Sequence, residues 1–188
     1  MKNYTFVKNF KNMKGKILLL LFVSISVLSC KNKEEAQEVQ IEEKDNSFTI
    51  TVDMVVKKDD NFQIYYMQDV NEPLDPKNYI DVAVKGSENA QEVVFKLPED
   101  VVPANIRFDL GGNKEQEPIK INSFKMNYFD KKFEAKNEAF DFFFGYNPQV
   151  TFDKVSSTAT MKIVGNEDYD PICIAKPSLH DELKKMVQ

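Results

Sequence analysis

The chain has 188 residues, of which 25 are basic and 30 acidic, for a formal net charge of −5 at pH 7. The lysines at 2, 8, 11, 14 and 16 all precede Cys30, so the remainder is more acidic still, at a net −10. That balance excludes the basic footprint of a nucleic-acid binder, and a single arginine, Arg107, leaves little with which to clamp phosphate.

The first organised stretch runs from Lys14 to Lys33. A basic flank leads into an unbroken apolar run, Ile17 to Val23, which stays mostly apolar to Leu28. The run is too short for a membrane-spanning helix, which needs about 20 apolar residues, and fits the core of a secretory signal of roughly 7–15. Lysines stay on the cytoplasmic side, so the C-terminal end of the run is exported. Met13-Lys14-Gly15-Lys16 is itself a good signal start, which makes Met13 an alternative first residue.

Val27-Leu28-Ser29-Cys30 resembles the lipobox of gram-negative lipoproteins: an aliphatic position, a tolerant one, a small residue, then cysteine. The resemblance implies cleavage before Cys30, a diacylglycerol on its thiol and an acylated amine, palmitate-type chains being the expected class. Two or more acyl chains hold a protein stably on a bilayer where one holds marginally. Lys31 stands where an aspartate would imply inner-membrane retention, and Lys33-Glu34-Glu35 is similar to the charged tags of surface-displayed lipoproteins. The expectation is a signal peptide at 1–29, a lipidated Cys30 with an acidic tether to residue 46, and one domain at 47–188 on the outer membrane. The competing assignment is an uncleaved signal anchor.

With Cys30 lipidated, Cys173 is the only free thiol, and Ile172-Cys173-Ile174 places it in an apolar run as a buried, inert group. His180 is the only histidine, so neither a histidine-based zinc site nor a Cys-His couple is expected. The acidic turns Asp59-Asp60-Asn61 and Asp168/Asp170 lack the regular alternation of a calcium loop and read as ordinary turns. No cofactor is expected.

From Ser47 the apolar period is two. Phe48-Ile50-Val52-Met54 predicts a half-buried strand, followed by Phe62-Ile64-Tyr66, Ile80-Val82-Val84, Val93-Phe95-Leu97 and Ile106-Phe108-Leu110. Gln68 to Asn78, with Pro73 and Pro76, is a long loop of the kind that carries function. Ile119 and Ile121 open a further strand whose apolar phase shifts at Phe124-Met126-Tyr128, the mark of a β-bulge. Phe133 and Ala135 return across a turn at residues 129–132. Phe140 to Phe144 is densely aromatic, Phe142, Phe143 and Phe144 being assigned to the core, and Thr158 to Ile163 reads as the last regular strand. Ser178 is expected to cap a C-terminal helix that buries Leu179, Leu183 and Met186. About eight short strands and one late helix predict a mostly β fold, a single antiparallel β-sandwich.

The cadence Val93–Pro98, Ile106–Gly111 and Ile119–Met126 resembles the central strands of jelly-roll, galactose-binding-like carbohydrate-binding modules. The resemblance implies a jelly-roll-like sandwich and a glycan ligand. Such modules often stack sugars on tryptophan; this chain has none, so tyrosine must supply the rings.

Tyr65 lies opposite the buried face of its strand, and Tyr79, Tyr128 and Tyr146 lie near strand ends with Asp81, Asn127 and Asn147 close by. These seven are the candidate ligand-binding residues; the alternative has their rings covering the edges of the core. No phosphate loop or nucleophile elbow occurs. The reading is therefore a non-catalytic surface lipoprotein that binds glycan or another envelope component. The alternatives are a protein-interaction subunit of an envelope complex and, more remotely, a hydrolase.

Overall fold

The computed structural model describes residues 46–188. The signal peptide, Met13, Cys30 and the tether up to Asp45 lie outside the described residues.

Eleven strands and two helices occur in the order β1 (Thr49–Val55), β2 (Asp60–Met67), β3 (Tyr79–Val84), β4 (Gln91–Lys96), β5 (Asn105–Asp109), β6 (Ile119–Tyr128), β7 (Lys131–Lys136), α1 (Ala139–Phe143), β8 (Phe144–Tyr146), β9 (Val150–Asp153), β10 (Thr158–Met161), β11 (Ile172–Ala175) and α2 (Pro177–Lys185). They form two antiparallel sheets packed as a sandwich. One has the order β4-β1-β6-β10-β9 with β7 added to β6, the other β3-β2-β5-β11-β8. Most consecutive strands change sheet, so each sheet is assembled from segments distant in sequence. The expected sandwich with its C-terminal helix is the observed fold.

The period-two apolar residues meet between the sheets. Phe48 just before β1, Ile50, Val52 and Met54 from β1, Phe62 and Ile64 from β2, Phe95 from β4 and Ile106 and Phe108 from β5 are all fully buried. The phase shift in β6 is a real bulge: Asp53 pairs with Ser123 and Met54 with Ile121, leaving Asn122 outside the ladder with β1, though its Nδ2 donates to Asp53 Oδ1 at 3.3 Å. Ile119 and Ile121 before it, and Phe124 and Met126 after it, are thereby all buried. The bulge also lies where the other neighbour of β6 changes, from β10 at Ile119 and Lys120 to β7 at Ser123 through Tyr128.

Four expectations need correction. The Phe140 region contains a short helix, because Phe140 and Phe144 sit four apart and both are fully buried, stacked at 4.4 Å between centroids. Phe142 falls off that face and is 66% exposed, so it is not a core residue. Thr158–Met161 is not the last strand, since Ile172–Ala175 follows as β11, between β5 and β8 in its sheet. Ser178 does not cap α2. Lys176 occupies that position ahead of Pro177, and the Ser178 hydroxyl donates to the Phe142 carbonyl at 2.7 Å. Leu179, Leu183 and Met186 are buried as expected.

At one end of the sandwich Asp60 ties two loops together. Its carboxylate accepts hydrogen bonds from the backbone of Asn61, Gly112 and Asn113 and from Gln116 Nε2, at 2.9–3.0 Å. Gly111, at φ +91°, packs so closely that a Cβ there would lie 2.5 Å from the Asp60 carboxyl. Hydrogen bonds to a charged group contribute about 1.5–3 kcal/mol. Asp60→Ala is therefore expected to lower stability by about 2 kcal/mol, read as a fall in urea midpoint. A variant that unfolds at the wild-type midpoint would show that water replaces the carboxylate without loss.

Candidate functional site

The outward-facing residues of the five-stranded sheet are fixed by the inward ones. Ile64 and Tyr66 of β2 face the core, so Gln63 and Tyr65 face out; Ile106 and Phe108 of β5 place Arg107 and Asp109 outward in the same way. Cross-strand register then aligns them in rows. Tyr79 pairs with Tyr65, Tyr65 with Arg107, Arg107 with Ile174, and Ile174 with Gly145, one residue from each of the five strands. With adjacent strands about 4.8 Å apart, this row is about 19 Å long. A second row runs beside it through Asp81, Gln63, Asp109 and Ile172.

The rows are bonded side to side. The Tyr65 and Tyr79 rings stack at 5.2 Å with 28° between planes, and the Arg107 guanidinium lies 4.5 Å from the Tyr65 centroid on the neighbouring strand. Tyr65 therefore stands between a ring and a cation, a partly buried cation–π arrangement. Arg107 Nε and Nη2 donate to the two oxygens of Asp109 at 2.8 and 2.6 Å, a bidentate pair whose side chains are 22% and 10% exposed. Gln63 Nε2 donates to Asp81 Oδ1 at 2.8 Å, Asn61 Nδ2 donates to the same oxygen, and the Tyr65 hydroxyl donates to Gln63 Oε1 at 3.3 Å.

Burial raises the Asp109 carboxyl above its ordinary range, with Arg107 pulling the other way. Burial also opposes the Arg107 charge, but Asp109 outweighs it and holds the guanidinium above its usual value. Burial pushes the Tyr65 phenol up as well, so it stays a neutral hydroxyl donor.

Of the seven sequence-predicted residues, Tyr65, Tyr79 and Asp81 come together on this face, and Tyr79, 40% exposed on the edge strand, offers its ring to solvent. The other four do not join them on this face. Tyr128 packs on Phe48 at 5.7 Å and covers the end of the core, as the alternative assignment had it. Asn127 lies on the other sheet, paired with Thr49 and Lys132. Tyr146 is opposite buried Cys173 and turns inward, stacking on Phe152 at 5.4 Å, and burial raises its phenol strongly. Asn147 is used internally: Nδ2 donates to the Asp170 carbonyl at 2.6 Å while Oδ1 accepts from the Ile172 backbone at 3.3 Å.

Sequence reasoning missed Gln63, Arg107 and Asp109. Their signal is present in the alternation Phe62-Gln63-Ile64-Tyr65 and Ile106-Arg107-Phe108-Asp109, which puts polar groups on one face of each strand. The pairing of β2 with β5 was not visible, because two strands, β3 and β4, intervene.

A concavity of about 370 Å³ lies beside α2, lined by Val70, Val102, Pro103, His180 and Leu183 among others. His180 Nε2 is 2.9 Å from Asn105 Oδ1 there. Cys173 is fully buried, and burial raises its thiol well above the ordinary range. Among the described residues, no three His, Cys, Asp or Glu side chains group to hold a metal ion, and no helix is long and apolar enough to cross a membrane. No family model, no curated protein and no solved structure matches this chain.

Proposed function

We propose that the chain is a lipoprotein of the outer membrane, anchored through Cys30 and displayed at the cell surface, whose sandwich is a non-catalytic module binding glycan across the outer face of its five-stranded sheet. The observation that carries this reading is the Tyr79–Tyr65–Arg107 row with Asp81, Gln63 and Asp109 beside it. It combines an edge aromatic ring for the C–H face of a sugar with amide, carboxylate and guanidinium groups for its hydroxyls. These groups brace one another, so little side-chain freedom is lost on binding. A hydrolase would need two carboxyl groups free to act across a scissile bond. Asp109 has both oxygens held by Arg107, which fits recognition better than acid catalysis.

The test is a glycan panel with the soluble domain, followed by Tyr79→Ala. Loss of the edge ring is expected to weaken binding about ten-fold or more, the scale of a hot-spot aromatic. Absence of any glycan binding would overturn the reading, and unchanged affinity in Tyr79→Ala would overturn this face as the site. The protein-interaction reading draws on a separate observation, the apolar concavity beside Val70 of the Gln68–Asn78 loop.

A further inference from the structure

Resting on that glycan reading, we infer that the ligand is an uncharged saccharide chain and that this face rejects carboxylated and sulfated ones. The chemistry that ordinarily captures an anionic sugar is a guanidinium fork offered to a carboxylate or sulfate. Here the Nε–Nη2 edge of the guanidinium is already taken by Asp109, whose carboxylate also balances its charge. What Arg107 still offers is its Nη1–Nη2 end, donors that serve hydroxyl oxygens while the charge that would hold an anion is already balanced by Asp109.

The surrounding charge points the same way. Asp81 lies in the second row, and Asp170 is close enough for its charge to act on Arg107, Asp109 and Tyr65. Two carboxylates, Asp109 and Asp170, thus act on the one guanidinium, and Asp81 adds a third negative charge further along the face. Toward β8 the first row ends in Ile174 and Gly145; the stem of Lys176 passes Gly145, and its ammonium donates to the Asp141 carbonyl oxygen. An arriving sugar carboxylate would meet like charge with its natural partner occupied, which is discrimination by repulsion. A neutral chain meets acceptors in Asp81 and Gln63, donors in Arg107 and apolar surface in Tyr79 and Ile174.

The experiment titrates the domain with matched pairs sharing backbone and length, such as mannan and mannuronan oligosaccharides or a galactan and its sulfated form. The acidic member of each pair is expected to bind ten-fold or more weakly at low salt. That gap should close as salt rises, because screening shortens the reach of Asp81 and Asp170. Asp81→Asn should narrow it at fixed salt. An acidic member binding as well as or better than its neutral twin overturns this inference and leaves the glycan reading standing. Binding to no saccharide overturns both. A gap indifferent to salt and to Asp81→Asn overturns the electrostatic basis claimed here.

Discussion

Replacing Phe124 with alanine is expected to lower the unfolding free energy by about 3–5 kcal/mol. Phe124 is fully buried immediately beyond the β6 bulge, with Phe144 at 5.1 Å and Phe140 at 6.3 Å in edge-on contacts. Its removal takes away one ring's transfer free energy and leaves a cavity lined by two others. Those neighbours are held by their own contacts, Phe140 against Phe152 and the two of them against each other, so they cannot collapse to fill it. Domains of this kind have roughly 5–15 kcal/mol in total, so the variant should lose about a fifth or more of its margin. In urea the midpoint should fall while the slope is retained. Phe142→Ala is the matched control: Phe142 is 66% exposed and its loss should stay within about 0.5 kcal/mol. Equal costs for the two variants would mean that the Phe140–Phe144 cluster is not the packed centre described.

That comparison also shows what the sequence could and could not disclose. Alternation was enough for β1 to β6, because a strand with one buried face writes its orientation into every second residue. The bulge was legible for the same reason, as a break in phase at Asn122. The aromatic run was not, since Phe142 and Phe143 masked the spacing of four between Phe140 and Phe144. Strand β11 was hidden because Ile172, Cys173 and Ile174 are all apolar, and such a run carries no period. The site was half legible. Tyr65, Tyr79 and Asp81 were readable as outward groups, whereas their union with Arg107 and Asp109 depends on β2 lying beside β5. Tyr146 was misplaced because two strand ends, β8 and β9, meet around Asn147 and Pro148, and the direction of a ring at such a junction is set by its partner strand.

Cys30→Ser is expected to move the protein wholly from the membrane fraction to the soluble or secreted one. A single acyl chain gives only marginal, reversible binding, with an association constant of about 10⁴ M⁻¹, and two or more are needed for stable anchoring. The lipobox-like Val27–Cys30 would supply them all at one residue, so one substitution removes the whole interaction. Little in the rest of the chain compensates. Beyond Cys30 the net charge is −10, which repels anionic headgroups, and no helix among the described residues is long and apolar enough to span a bilayer. The competing signal-anchor assignment makes the opposite forecast, because the apolar run from Ile17 to Leu28 would hold the chain in the membrane whatever stands at position 30. The intact mass of the wild-type protein therefore separates the two, a cut leader with acyl mass at Cys30 against a whole leader without it. Wild-type protein that keeps its leader and carries no acyl mass at Cys30 would end the lipoprotein proposal and leave the proposed glycan face to be explained on an inner-membrane protein.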